Sequence, residues 1–233
     1  GVSRVNVKPV ISKNIARDNL VLGVIGDLKS GITYVAESRH LLMLMGLSLF
    51  FAFCLRSYQN LMSGFAENLF SLDEQGLGNL FAAKGIGALL VALLIARRGR
   101  TQGLTKVCAY GAGIAGVTII IFVFSTYMPL VLLIAAVLGG VVVATDLAIM
   151  TLIQNVVADQ YRARVISIAL AISVGIPAFG SFAIGFLAEF IGLRFAMGLS
   201  GLTVFTAALF IGKRILNNAS EIEAAKSDLE DVA

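Results

Sequence analysis

Residues 129–157 read PLVLLIAAVLGGVVVATDLAIMTLIQNVV, and the only charged residue among them is Asp146. A helix needs about 20 predominantly apolar residues to cross a bilayer, so this stretch predicts a membrane span. The whole chain shares its character: 58% of its residues are hydrophobic and 14% are charged, whereas soluble domains are usually about 25% charged. The predicted fold class is therefore all-α, a polytopic membrane protein with a six-transmembrane-helix bundle.

Six stretches have the length and apolar character of a span. They are Leu41–Ala66, Gly76–Ala96, Val107–Ser125, Pro129–Val157, Val165–Ile191 and Leu193–Gly212. The first turns polar after Leu55 but contains no helix breaker, so one long helix is predicted. A tight turn near Gly192 is expected between the last two spans.

Three segments are predicted: a linker over 1–40, the bundle over 41–212 and an acidic tail over 213–233. In the linker, apolar residues recur at spacings of three and four: Val24, Ile25, Leu28, Ile32 and Val35. This spacing predicts an amphipathic helix along the cytoplasmic membrane face. The tail beyond Asn217 is expected to be a short solvated helix or disordered, and to carry no chemistry.

The positions of the charges indicate the orientation of the bundle. Fifteen of the 18 Lys and Arg residues fall on one side of the six-span topology, in the two termini, in 97–106 and in 162–164. Basic residues accumulate on the cytoplasmic side, so both termini are predicted to be cytoplasmic. The net charge of +4 therefore reflects topology, and no nucleic acid partner is expected.

Few residues offer cofactor or metal chemistry. Cys54 and Cys108 lie in apolar stretches and are expected to be buried thiols, not a disulfide. His40 is the one histidine, so no metal site and no cofactor are expected. Tryptophan is absent, and the tyrosines, which lie mostly near predicted span ends, are the candidate interface anchors in its place: Tyr34, Tyr58, Tyr110, Tyr127 and Tyr161.

Arg56, Lys84 and Asp146 are charged residues inside predicted spans. A charge at the bilayer centre costs at least ~2.5–3.5 kcal/mol, so such residues usually face a cavity or an opposite charge. At a rise of ~1.5 Å per residue, Asp146 lies about 25 Å and about 16 Å from its helix ends, beyond the reach of its side chain. It is expected either to couple a proton or cation, or to form a structural pair with Lys84 or Arg56.

Residues 158–167, ADQYRARVIS, resemble the cytoplasmic loop before the eleventh helix of major facilitator superfamily transporters. The likeness is greatest to the branch with the enterobactin exporter and macrolide efflux proteins. The matching residues are Asp159, Arg162, Arg164 and Ser167. Residues 175–185 are similar to the eleventh helix of that family, and residues 77–100 to the eighth helix and its basic loop. This basic loop lacks the aspartate that often precedes the basic residues in the family.

The resemblance implies helices seven to twelve, the C-terminal half of a twelve-helix major facilitator fold. It also implies a secondary-active, ion-coupled exporter of small amphiphilic, drug- or siderophore-like molecules that works by alternating access, and not an enzyme. The expected partners are the lipid bilayer, a missing N-terminal six-helix half, a small-molecule substrate and a proton. The expected location is the bacterial inner membrane.

In this register, Arg56, Lys84 and Asp146 lie on helices seven, eight and ten, which line the central cavity in the family. Asp146 is the candidate coupling acid. The candidate cavity and substrate residues are Arg56, Gln59, Asn60 and Lys84; Arg56, Gln59, Asn60 and Ser63 share one helical face. Arg56 and Lys84 have a second reading, in which they extend to the outer headgroups. Arg56 also has a third reading, in which it forms a structural pair with an acid of the missing half.

Two further groups are candidates for moving parts. Gly175, Pro177, Gly180 and Gly185 are hinge candidates, because proline removes a helical hydrogen bond, or packing candidates, because glycines let helices approach closely. Arg162 and Arg164 are candidates for a cytoplasmic gate, or are simply topological charges.

Two rival classes remain. Gly198-Leu-Ser200-Gly201 matches an intramembrane serine protease pattern, but that chemistry needs a neighbouring base and His40 lies outside the spans, so helix packing is the preferred reading. The alternative to a transporter half is a non-transporting assembly module, or a separately encoded half that must dimerise.

Overall fold

The computed structural model of this chain describes residues 17–70, 74–98 and 103–223; for 17–25, 27, 63, 65–70 and 98 it describes the backbone alone. Within these ranges the regular structure is helical. The α-helices are α1 (Arg17–Glu37), α2 (Arg39–Phe50), α3 (Ser57–Phe70), α4 (Glu74–Arg98), α5 (Leu104–Phe124), α6 (Met128–Val156), α7 (Asp159–Ile191), α8 (Leu193–Ala207) and α9 (Lys213–Asn217). Two π-helical stretches join α2 to α3 (Phe51–Arg56) and α8 to α9 (Ala208–Gly212).

The prediction of an all-α polytopic bundle is confirmed. The described residues include six helical segments long and apolar enough to cross a membrane: Arg39–Met62, Glu74–Arg97, Leu104–Phe124, Met128–Val156, Asp159–Ile191 and Leu193–Asn217. We call them the first to sixth span. Their ends differ from the predicted ends by a few residues, because polar residues in the first and last turns remain helical. The first span is one continuous helical segment, as expected, except that its middle is π-helical.

The spans approach one another closely where glycines remove side-chain volume. A Cβ atom on Gly139 of the fourth span would lie 2.2 Å from the Lys84 carbonyl oxygen, and one on Gly87 would lie 1.8 Å from the Ala136 carbonyl oxygen. The second and fourth spans therefore pack backbone to backbone beside Lys84. Gly192 joins the fifth and sixth spans with a φ of 81°, a left-handed conformation that favours glycine; the predicted tight turn is confirmed there.

Helix α1 packs against the start of the fifth span. The rings of Tyr34 and Tyr161 stack with their centroids 4.2 Å apart, and the Ala158 N–H donates to the Tyr34 hydroxyl at 3.3 Å. Tyr34 and Tyr161 therefore contact each other, where the sequence suggested separate interface anchors. Of the predicted apolar stripe, Val35 is buried whereas Leu28 and Ile32 are exposed. The side chains of Val24 and Ile25 and all of residues 1–16 lie outside the described residues.

The beginning of the acidic tail also packs on the bundle. Ile222 is completely buried, and Glu221 Oε2 lies 3.1 Å from His40 Nε2. Glu223 accepts hydrogen bonds from the N–H groups of Gly103 (2.9 Å) and Thr105 (3.2 Å) and from the Thr105 hydroxyl. The described start of the tail, up to Glu223, is therefore a short helix that the buried Ile222 anchors to the bundle while Glu221 stays exposed; residues 224–233 lie outside the described residues.

These contacts bring four points of the chain to one end of the bundle, namely the starts of the first and third spans, the turn before the fifth span and the end of the sixth. Exposed basic side chains surround this end: Arg39, Arg97, Lys106, Arg162, Lys213 and Arg214. We call it the basic end.

Candidate functional site

Arg56 and Asp146 form an ion pair between the first and fourth spans. Arg56 Nη2 lies 2.9 Å from Asp146 Oδ2, and Arg56 Nε donates to the same oxygen at 3.1 Å. Each side chain is 28% exposed, so both charges are largely removed from solvent. The sequence offered Lys84 and Arg56 as partners of Asp146, and in the structure the partner is Arg56.

The same guanidinium reaches the fifth span. Arg56 Nη1 donates a 2.7 Å hydrogen bond to the Ser173 carbonyl oxygen, and it also contacts the Ser173 hydroxyl. In an α-helix this carbonyl would accept from the N–H four residues later, but residue 177 is proline and has no N–H. Arg56 therefore satisfies the carbonyl that Pro177 leaves without its helical partner, and joins three spans through one side chain.

Small polar side chains surround Pro177. The Ser57 hydroxyl donates to the Pro177 carbonyl at 2.9 Å and to the Phe53 carbonyl at 2.6 Å. Ser181 donates to the same Pro177 carbonyl at 2.7 Å, and Asn60 Nδ2 donates to Ser181 at 3.0 Å. The first and fifth spans are thus joined by hydrogen bonds along the stretch that follows the π-helical turn. Such π-helical turns are common at functional sites.

The four hinge or packing candidates separate into two kinds. Pro177 is buried, and a Cβ on Gly180 would lie 2.0 Å from the Phe53 carbonyl oxygen. A Cβ on Gly175 or on Gly185 would meet nothing within 4 Å. Pro177 and Gly180 therefore form the contact with the first span, whereas Gly175 and Gly185 face open space.

Lys84 contacts an aromatic ring rather than Asp146. Its Nζ lies 5.3 Å from the centroid of the Tyr58 ring, within the range of a cation–π interaction. Tyr58 is completely buried and packs edge-on against Phe122 at 6.1 Å. Of the candidate interface anchors, Tyr58 does not lie at a span end, because its ring fills the interior of the bundle. Among the described residues no group hydrogen-bonds to the Tyr58 hydroxyl.

The remaining candidates lie around this centre or at the basic end. Gln59 is half-buried and Asn60 is exposed; the Ser63 side chain lies outside the described residues. Arg162 pairs with Asp159 within its own helix at 3.0 Å. The Arg164 guanidinium lies 5.9 Å from the Tyr161 ring centroid, next to the docked helix α1. The gate role of Arg162 and Arg164 stays a prediction.

The protease-like segment packs helices together. Ser200 is buried and its hydroxyl donates to the Met197 carbonyl at 2.8 Å. A Cβ on Gly201 would lie 2.8 Å from the Gly116 carbonyl oxygen, so this segment lets the third and sixth spans meet. Cys54 and Cys108 are free and buried, as expected. In the described part of the chain, no group of three or more His, Cys, Asp or Glu residues is placed to hold a metal ion.

Sequence reasoning missed Ser173, Ser57 and Ser181, and it gave Tyr58 a different role, that of an interface anchor. One signal for Ser173 was present, since the carbonyl freed by a helical proline belongs to the residue four positions earlier. The others are short polar or aromatic side chains whose partners depend on which spans pack together.

Comparison with known proteins gives the family. No curated protein and no solved structure matches this chain. A family model described as transmembrane secretion effector, of the major facilitator type, matches residues 7–231. Six apolar spans agree with that match. The chain is an integral membrane protein that belongs to the transmembrane secretion effector family of major facilitator transporters.

Proposed function

We propose that this chain is the C-terminal half of an ion-coupled exporter that works by alternating access. The substrates proposed are small amphiphilic molecules, drug- or siderophore-like. The observation that supports this function is the Arg56 side chain, which holds both the acid of the fourth span and the proline-freed carbonyl of the fifth. A charge pair of this kind marks an ion or substrate pathway in membrane proteins.

The partial exposure of the Arg56–Asp146 pair supports the presence of a second six-helix half. Arg56 and Asp146 each keep 28% of their surface exposed, and charges facing hydrocarbon are costly. A second six-helix half packed over this face would replace lipid with protein and water. Substrate would then bind near the midplane between the halves, as is common in secondary transporters, with Gln59, Asn60 and Lys84 around it.

The coupling step follows from the chemistry of the pair. A proton taken up by Asp146 neutralises the carboxylate, and the attraction that holds the guanidinium against Oδ2 is lost. Arg56 is then free to move with the fifth span, to which it remains bound at Ser173. Protonation of one acid is in this way converted into a displacement between the fourth and fifth spans, a two-state change of the kind alternating access requires.

The proposed setting is the bacterial inner membrane with the basic end in the cytoplasm. The exposed basic side chains there are the support, because Lys and Arg accumulate on the cytoplasmic side. Both termini would then be cytoplasmic, and Arg162 and Arg164 would lie at the cytoplasmic mouth.

The test compares the chain alone with the complete gene product that contains it. We expect vesicles with the complete product to extrude a fluorescent amphiphilic cation such as ethidium when a proton gradient is imposed, and vesicles with residues 1–233 alone not to do so. Gradient-driven flux by residues 1–233 alone would overturn the half assignment. Absence of flux with the complete product, for a panel of amphiphilic cations and anions, would favour an assembly module.

A further inference from the structure

Two apolar grooves run along the third span, one on each side. The first lies between the third and sixth spans, has a volume of about 480 Å³, and is lined by Tyr110, Gly113, Ile114, Leu209 and Lys213 among others. The second lies against the second and fourth spans, has a volume of about 350 Å³, and is lined by Val91, Lys106, Tyr110, Ile114 and Gly140 among others. Both are open on the outside of the bundle.

Tyr110 and Ile114 separate the grooves and line both of them. They stand four residues apart, on one face of the helix, and are 60% and 51% exposed. They therefore form a ridge with a groove on either side. Glycines line both grooves, with Gly113 and Gly212 on one side of the ridge and Gly111 and Gly140 on the other. At Gly111, Gly140 and Gly212 a Cβ would lie 3.1 Å or less from the neighbouring span, so these glycines let the spans pack closely beneath the grooves.

Each groove has an exposed lysine at the basic end. Lys106 lies one turn before Tyr110 on the ridge, and Lys213 follows Gly212 on the sixth span. A Cβ on Gly212 would lie 3.1 Å from the Ala109 Cβ, so the two lysines stand at the same level of the bundle. Arg214 is exposed beside Lys213.

Within the described part of the chain, the Glu223 carboxylate lies near Lys106, and it is engaged in hydrogen bonds. The Glu223 carboxylate accepts from the Gly103 and Thr105 N–H groups and the Thr105 hydroxyl, at the helix start next to Lys106. The described lining of the two grooves contains Lys106 and Lys213 and no carboxylate. The shared entrance therefore offers two cationic side chains to an anion.

We propose that an anionic phospholipid lies astride the Tyr110–Ile114 ridge, with one acyl chain in each groove and its phosphate between Lys106 and Lys213. Two apolar channels that share one cationic entrance match two chains joined to one anionic headgroup. A single-chain amphiphile would fill one groove only. A zwitterionic headgroup carries its own cation, which the lysines would repel, so its net attraction to the site would be smaller. The site lies on the third and sixth spans, apart from Arg56 and Asp146, and does not depend on the proposed transport.

The chain contains no tryptophan, so a Tyr110→Trp variant carries one fluorescent reporter in the site. In vesicles that mix phosphatidylcholine with phosphatidylglycerol, brominated chains on either lipid quench the reporter on contact. We expect phosphatidylglycerol to be preferred about fivefold or more at this reporter, the attraction of roughly one basic residue near an anionic surface. A Leu133→Trp reporter, exposed near the start of the fourth span and away from the basic end, should show a ratio near one.

Substitution of the lysines tests the headgroup contact. Lys106→Gln together with Lys213→Gln in the Tyr110→Trp background should reduce the preference to the Leu133→Trp level. Lys29→Gln, which removes an exposed lysine of α1, should leave it unchanged. Equal ratios at the two reporters, or a preference that survives loss of both lysines, would overturn the proposal. Competition by lyso-phosphatidylglycerol as strong as that by the two-chain lipid would overturn the two-groove arrangement.

Discussion

The Arg56 guanidinium donates a 2.7 Å hydrogen bond to the Ser173 carbonyl oxygen, the acceptor that Pro177 leaves without its helical donor. Because the same guanidinium lies 2.9 Å from Asp146, the proline of the fifth span and the acid of the fourth are connected through one side chain. A change at either residue should therefore be felt at the other.

Replacing Arg56 should show how much its ion pair with Asp146 contributes to the free energy of unfolding. Arg56→Gln leaves a largely buried carboxylate without its cation, and we expect a loss of about 2–4 kcal/mol in the free energy of unfolding. Asp146→Asn in the same chain should recover part of this loss, with a coupling of about 1–3 kcal/mol in a double-mutant cycle. Unfolding in detergent with denaturant measures each variant.

A matched control exists in the Arg162–Asp159 pair, which joins the same residue types at 3.0 Å but is far more exposed. The Arg162→Gln and Asp159→Asn cycle should give about 0.3–0.5 kcal/mol. Equal couplings for the two pairs would contradict the view that the Arg56–Asp146 pair has a special role.

Pro177→Ala should weaken the dependence on Arg56. Alanine restores an N–H that competes for the Ser173 carbonyl, so the guanidinium is no longer needed there. We expect Arg56→Gln to cost about 1 kcal/mol less in the Pro177→Ala background than in the natural chain, the net value of one hydrogen bond. Gly175→Ala, whose methyl meets no atom within 4 Å, should leave the cost of Arg56→Gln unchanged. If Gly175→Ala reduced that cost as much as Pro177→Ala does, the missing N–H of Pro177 would not be the cause.

The close contact at Gly180 gives a steric prediction. Gly180→Ala places a methyl 2.0 Å from the Phe53 carbonyl oxygen, so the first and fifth spans must separate, and overpacking of this kind costs about 1–3 kcal/mol. Gly185→Ala on the same helix should be neutral or stabilise by roughly 0.5–1 kcal/mol, because alanine is the better helix former. Thermal unfolding midpoints of the two variants distinguish these outcomes, and a midpoint for Gly180→Ala at or above that for Gly185→Ala would show that this contact is loose.

Glu223 predicts a pH dependence at the basic end. Partial burial raises the pKa of its carboxyl, but hydrogen bonds from Thr105 and Gly103 and the nearby Lys106 outweigh it, so the pKa lies below its ordinary value of 4.5. A carboxyl whose folded pKa is lowered contributes stability that is present above the unfolded pKa and lost as the pH falls through the folded one. The docked tail should therefore detach in acid, below about pH 4.5.

The measurement is amide hydrogen exchange at residues 103–105. Glu223→Gln should raise their exchange at neutral pH, with a loss of about 0.5–2 kcal/mol in local opening free energy, typical of a helix-capping side chain, and should remove the acid dependence. Glu221→Gln, which touches only His40 among the described contacts, should keep the slow exchange. Unchanged protection in Glu223→Gln would show that Ile222 alone holds the tail.

The spans could be predicted from the sequence because apolar length alone decides whether a helix crosses a membrane. The docked tail could not, since Ile222 is one apolar residue among acids and its burial depends on where the ends of the first and third spans meet. The candidate site shows the same division. Arg56 and Asp146 are conspicuous as charges in apolar stretches, whereas the contact of Lys84 with Tyr58 requires the packing of the second span against the first.

The central claim is that Asp146 is the coupling acid and not only a structural partner of Arg56. Asp146→Asn keeps the shape of the side chain but is permanently neutral, like the protonated acid. In vesicles with the complete gene product, we expect this variant to lose efflux driven by a proton gradient while retaining exchange of substrate against substrate, whereas Asp159→Asn retains both. Undiminished proton-driven efflux by Asp146→Asn would contradict the claim.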